Sequence, residues 1–159
     1  MSNTVEQNSS EIKFIVFRLG SEEYGVDVQQ VKSIERMEHI TRVPNTPPFV
    51  KGVINLRGVV IPIIDLRRRF SIEQKDYNES TRIIIVNVEE MEVGLIVDAA
   101  NDVIDIPVQA IEPPPKVVGA VEAIYLRGVA KLANRLLILL NLDKVLNVDE
   151  MKELEKFGA

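Results

Sequence analysis

The 159-residue sequence contains no cysteine, no tryptophan and a single histidine, His39. Without cysteine there is no disulfide, no thiolate nucleophile and no Cys-based metal site. A Ser/His/Asp triad would have to pass through His39, whose neighbours Glu38-His39-Ile40-Thr41 have the pattern of an ordinary approach to a strand. Zinc needs three or four ligands, so carboxylates would have to complete any site, and these suit harder cations. Long hydrophobic runs are also missing: the longest aliphatic stretch, Leu136 to Leu140, is five residues, against roughly 18 for a membrane span. Met1 to Glu11 is polar, with no basic flank leading into an apolar run. No secretory signal and no direct membrane insertion are expected, and the expected location is cytoplasmic.

Positive charge is scarce in one half only. The net charge is -5; residues 1–80 hold 11 basic and 11 acidic side chains, residues 81–159 hold 8 and 13. A nucleic-acid binder needs a basic footprint that displaces counterions. The one dense candidate, Arg67-Arg68-Arg69, lacks the interleaved aromatics of a base-stacking platform. No Gly-x-Gly-x-x-Gly, P-loop or Gly-x-Ser-x-Gly pattern occurs, which removes the common dinucleotide, nucleotide and hydrolase signatures. The carboxylates Asp98, Asp102 and Asp105 are the only acidic cluster that suggests metal-dependent or acid–base catalysis. The segment Val103 to Pro107 reads as a strand, however, which scatters the three over different faces. No enzyme, cofactor or metal site is therefore expected.

What is present is an ordinary globular balance, 46% apolar and 27% charged, in a length that suits one folded domain. The main organisational signal is a duplication. Phe14 to Val28 aligns with Ile83 to Val97, with Gly25 and Gly94 69 residues apart. Leu56-Arg57-Gly58-Val59 recurs 70 residues later as Leu126-Arg127-Gly128-Val129, and Ile63-Ile64-Asp65-Leu66 matches Leu139-Leu140-Asn141-Leu142 at 76. On this alignment Arg57 and Arg127 are equivalent, and six residues have been added inside the second hairpin.

Both copies read as strands with few helices. Hairpins are expected at Gly20-Ser21-Glu22 and at Glu89-Glu90. Gly52 to Leu66 should make a third and fourth strand folding near Gly58, with Pro62 confining the fourth to an edge or a bulge. Asp27 can cap a short turn, Leu66 to Phe70 and Leu142 to Leu146 suit one or two helical turns, and residues 148–157 carry an apolar helical stripe. Pro44 to Pro48 and Pro113 to Pro115 suit extended connectors. The expected layout is a disordered polar segment 1–11, then a single domain 12–159 made of two repeats, about 12–80 and 81–146, with the helix 148–157 last.

From Val50-Lys-Gly-Val-Ile-Asn-Leu-Arg-Gly-Val-Val-Ile-Pro-Ile-Ile-Asp-Leu66 the sequence resembles the CheW family, the coupling proteins of bacterial chemotaxis. The likeness runs from Phe17 to Asp27, through Arg42 to Pro47, to the last helix. It implies an all-β fold of two intertwined five-stranded SH3-like barrels. It also implies a non-catalytic adaptor between chemoreceptor helical hairpin tips and the regulatory domain of the histidine kinase CheA, recruited to membrane-anchored receptor arrays. By motif position the resemblance points to Val31, Ser33, Arg57, Gly58 and Val103 for the receptor, and to Ala100, Glu112, Pro113, Lys116 and Val117 for the kinase. Many members carry glutamate where Ser33 stands. Glu35, two residues on, shares the face of Ser33 if the chain is extended there, and it joins the receptor set as the partner of Arg57.

Overall fold

A computed structural model describes residues 10–118 and 121–147, apart from the side chains of Asn101, Val117 and Val118. The expected helix 148–157 lies outside the described residues. The first copy forms β1 (Glu11–Leu19), β2 (Glu22–Asp27), β3 (Val31–Arg36), β4 (Val50–Leu56) and β5 (Val59–Asp65). The second forms β6 (Arg82–Val88), β7 (Met91–Val97), β8 (Ala99–Pro107), β9 (Ile111–Glu112), the short pair β10 (Val117–Val118) and β11 (Val121–Glu122), then β12 (Leu126–Leu132) and β13 (Arg135–Leu140). Hairpins turn at Gly20–Ser21 and Glu89–Glu90 as expected. Asp27 accepts from the N–H of Gln29 at 2.9 Å to cap a 3-10 turn, and the short helices Leu66–Arg69 and Leu142–Leu146 form. β1 begins at Glu11, which pairs with Pro107, so the strand reaches into the polar stretch 1–11.

The strands form two main sheets that exchange hairpins. Sheet one runs β8-β1-β2-β13-β12-β9, and sheet two runs β3-β6-β7-β5-β4. The β1–β2 hairpin of the first copy thus sits among strands of the second, and the β6–β7 hairpin of the second sits among strands of the first. Each hairpin docks through a parallel ladder, β2 on β13 and β7 on β5. The sequence copies 12–80 and 81–146 are therefore not the sheets. Sheet one has six named strands, but β8 and β9 are two parts of one run joined by the 3-10 turn Val108–Ala110. In sheet two the corresponding run after β3 returns to β4 through a single bridge, Thr41 to Val53. Both sheets are all-β barrels of the SH3-like kind closed by one bent run.

The burial pattern explains why the middle of β1 and of β6 lacks a polar face. Phe14 and Val16 point into the interior of the first barrel with Ile106, Leu137 and Leu139. Ile83 and Ile85 do the same in the second with Ile54, Ile61 and Ile63. The residues between them, Ile15, Phe17, Ile84 and Val86, enter a third cluster shared by both sheets. A hairpin buried on both faces needs continuous apolar sequence rather than alternation, which is what Phe14–Phe17 and Ile83–Val86 supply. Across the junction, Phe17 stacks on Tyr24 and Tyr24 on Phe70, while Arg69 lies over the rings of Phe49 (4.2 Å) and Tyr125 (5.2 Å) and donates to the carbonyl of Val145 at 2.7 Å.

Strand register corrects the alignment of the second half of the repeat. β4–β5 turns at Arg57–Gly58 and β12–β13 at Ala133–Asn134, so the hairpins correspond at an offset of 76 along their whole length. The two hairpins have nearly equal arms, and the additional residues of the second copy lie before β12. Arg127-Gly128 consequently stands in a strand, not in a turn. Its structural counterpart is Lys51-Gly52, and both glycines follow a bulge. A Cβ on Gly52 would lie 2.2 Å from the Thr41 carbonyl oxygen, and one on Gly128 2.6 Å from that of Glu112. Glycine is needed at both because the closing run crosses the strand there at backbone contact.

Pro62 does not sit in an edge strand. β5 lies between β7 and β4, and its parallel ladder with β7 starts at Ile63, immediately after the proline. In sheet one the ladder starts two residues earlier, at Leu137, and includes Ile138, the counterpart of Pro62. The missing N–H is tolerated by displacing the three-pair ladder two residues along the strand rather than by placing the strand at an edge.

Candidate functional site

Five of the six receptor-set residues lie in sheet two. Along β3, Val31, Ser33 and Glu35 are half-buried and alternate with exposed Lys32, Ile34 and Arg36. Ser33 and Glu35 share a face, as the extended reading requires, whereas a bulge between Val31 and Ser33 turns Val31 to the other face, opposite Val86 and against the shared core. Arg57 and Gly58 form the two-residue turn of β4–β5 with φ of 52° and 85°. Positive φ at both positions is the geometry of a type I′ hairpin turn, whose twist matches the strands it joins. Asn55 Oδ1 accepts from the Gly58 N–H at 2.9 Å and fixes the loop. β3 and β4 are the two ends of the sheet order, yet barrel closure brings Arg57 Nη2 to 3.9 Å from Glu35 Oε2. The Arg57 side chain is 75% exposed and that of Glu35 19%. At that separation and exposure the pair orients the guanidinium and contributes little to stability. Val103 is set apart: it lies on β8 in sheet one, opposite Ile15, and is half exposed.

The kinase-set residues divide similarly. Glu112, Pro113 and Lys116 are exposed on the run from β9 to β10, with Lys131 Nζ 3.7 Å from the Glu112 carboxylate. The Lys116 carbonyl accepts from the Ala123 N–H at 2.8 Å, and the backbone of Val117 pairs with Glu122. The Val117 side chain lies outside the description. Ala100 sits on β8 opposite Phe17 and packs on the shared core, so it supports the surface more than it presents one.

Sequence reasoning missed Val59 and Val60, which are 44% and 52% exposed beside the Arg57–Gly58 turn. The signal was available in Pro62, whose lack of a donor leaves this end of β5 without its β7 neighbour. The surface around Arg57 is thus a cationic group flanked by two valines, with the Glu35 carboxylate behind. It can hold a partner by apolar contact and one oriented charge.

The three aspartates are engaged separately. Asp98 accepts from Arg67 Nε at 3.0 Å and Nη2 at 2.5 Å and from the Gly20 N–H at 2.7 Å. Burial alone would raise its pKa, but the arginine and the amide together hold it below the ordinary carboxylate value. Asp102 accepts from Arg135 at 3.1 Å, and Asp105 faces Lys13 at 3.2 Å. Among the described residues no group of three or more His, Cys, Asp or Glu is arranged to hold a metal ion.

A family model for the CheW-like domain matches residues 13–150. The chemotaxis protein CheW of Klebsiella aerogenes is 42% identical over 139 residues, 87% of this chain and 84% of that protein. The chemotaxis protein CheW of Bacillus subtilis is 44% identical over 135 residues, 85% of this chain and 86% of that protein. Among solved structures, the scaffolding protein TtCheW from Thermoanaerobacter tengcongensis superposes with a TM-score of 0.77 at 41% identity, covering 82% of this chain and 84% of its own. With the doubled barrel and a surface built for contact rather than turnover, these similarities place the chain in the CheW family of non-catalytic chemotaxis scaffolds.

Proposed function

We propose that the chain is the adaptor that couples chemoreceptor cytoplasmic tips to the histidine kinase CheA and so gives receptors control of kinase activity. The receptor's helical hairpin would lie against Val31, Ser33, Glu35, Arg57, Gly58 and Val103. The kinase regulatory domain would take Ala100, Glu112, Pro113, Lys116 and Val117. The observation that carries the reading is the exposed Arg57, set at the β4–β5 turn with its guanidinium 3.9 Å from the Glu35 carboxylate, inside the region matched by the CheW-like family model. Glu35 then performs from two residues away the pairing that many relatives make from the position of Ser33. No described helix is long and apolar enough to cross a membrane, so the protein would reach receptor arrays by binding them.

An adaptor acts through differential affinity: a receptor shift changes kinase activity only if the bridge contacts its two states differently. The test is capture of a receptor cytoplasmic fragment and the kinase regulatory domain, separately and together. Joint capture is expected, with Arg57→Glu weakening receptor binding by about tenfold or more and leaving kinase binding unchanged. Mutual displacement of the two partners, or a folded Arg57→Glu protein that binds receptor as well as the parent, would overturn the reading.

A further inference from the structure

Away from both proposed surfaces, Arg42, Lys51 and Arg68 line an open depression of about 350 Å³ whose apolar wall is Pro47, Pro48 and Val50. All three cations are exposed. Among the described residues no carboxylate forms an ion pair with any of them, although nine other pairs form elsewhere. The Lys51 ammonium lies 5.7 Å from the centre of the Tyr77 ring, and Asp65, next to this helix, is 3% exposed with its carboxylate already accepting from the N–H groups of Arg67 and Arg68. In a chain of net charge -5, three converging unpaired cations are a local reversal of sign.

The second copy shows that this reversal is not required by the fold. Lys51 corresponds to Arg127, which faces Asp27 at 3.4 Å, and Arg42 corresponds to Pro113, each following the residue that bridges to β4 or β12. One copy neutralises the position; the other leaves it charged and open.

We infer that this depression docks an acidic polypeptide segment of a partner protein, in which carboxylates alternate with apolar residues. Guanidinium groups pair carboxylates in planar, two-pronged geometry, and the proline wall with Val50 provides apolar contact between them. A free phosphate is a poorer match. Phosphate cradles are built from converging backbone N–H groups, and Pro47-Pro48 removes two of these from the loop that would have to supply them. The inference uses only fold and charge, so it stands or falls apart from the adaptor reading.

The probe is a fluorescein-labelled Glu-Val-Glu-Val-Glu peptide titrated with the full chain and followed by anisotropy. Saturable binding that weakens with salt is expected, with no binding of the Gln-Val-Gln-Val-Gln control. R42E/K51E should weaken binding by at least about tenfold, whereas K13E/K131E, with the same change in net charge, should stay within about twofold. Circular dichroism checks that both variants fold, and R68E provides an independent lesion at the same depression. Three results would each overturn the inference: no binding of the acidic peptide, equal loss in the two double variants, or displacement of the peptide by millimolar inorganic phosphate. Preferential binding of a single-stranded oligonucleotide over the peptide would also overturn it, by identifying a nucleic-acid surface.

Discussion

The two sheets share a strand plan but differ in how their hairpin ends are closed. In sheet one, Arg135 donates to both oxygens of Glu23 at 3.0 Å and to Asp102 at 3.1 Å, tying β13 to β2 and β8. The counterparts in sheet two are Val59, Glu92 and Ser33, where no such tie can form; Glu92 is paired with Lys32 at 2.6 Å instead. The parallel ladder also starts two residues later there, beyond Pro62, and the closing run makes one bridge to β4 where β9 makes two pairings to β12. The sheet with fewer internal ties is the one that exposes Val59, Val60 and Arg57. The difference teaches that a duplicated fold can tie down the hairpin end of one sheet and leave the equivalent positions of the other exposed.

The comparison is broken most severely at the bulge glycines. Gly52→Ala should destabilise by about 3 kcal/mol or more, since it adds both a backbone clash and an unfavourable φ of 152°. Gly128→Ala adds the clash alone and should cost less, about 1–3 kcal/mol; urea unfolding measures both. Next in size is Arg135→Ala, expected to remove about 1–2 kcal/mol by opening the three-way tie. Its pH dependence is specific. The hydrogen bond from Arg135 holds the Glu23 pKa below its ordinary 4.5 against the opposing effect of burial. The resulting stability is present above pH 4.5 and disappears as pH falls through the depressed folded value. Arg135→Ala should therefore flatten the acid limb of the stability curve while lowering the neutral plateau.

A smaller effect sharpens the comparison from the other side. S33D/V59R transfers the sheet-one tie to sheet two and should stabilise by up to about 1 kcal/mol, while reducing receptor-fragment binding because the apolar end is covered. A gain in stability with unchanged binding would show that this end of the sheet is not the receptor face. Smallest of all, and without mutation, hydrogen exchange should be faster at Val59 to Ile61 than at Arg135 to Leu137, because the parallel ladder reaches Leu137 but begins only at Ile63.

Much of this was legible in the sequence because it is local. Turn pairs, caps and two-sided apolar strands have short-range signatures, and the 69-residue offset correctly matched the exchanged hairpins. The Leu-Arg-Gly-Val recurrence misled because four residues can repeat by chance, whereas register follows the bulge and the turn, which are set by long-range pairing. β3 escaped notice since Val31 to Arg36 alternates half-buried with exposed positions without strong apolar contrast. At the candidate site, motif position and extended geometry led to Arg57, Gly58 and Glu35, and the structure brings Arg57 within 3.9 Å of Glu35. Val59 and Val60 were missed, because their exposure depends on which strand neighbours Pro62 and where that pairing starts.

Hairpin exchange also governs how the chain is made. Glu23 meets Arg135 across 112 residues, so β2 has no partner on its outer side until β13 has been synthesised. At roughly 5–20 residues per second, that interval is on the order of ten seconds. Throughout it a finished, apolar hairpin presents an open strand edge of the kind that recruits other nascent chains. Newborn molecules should therefore depend on holding factors at the ribosome exit far more than the mature protein's stability would suggest.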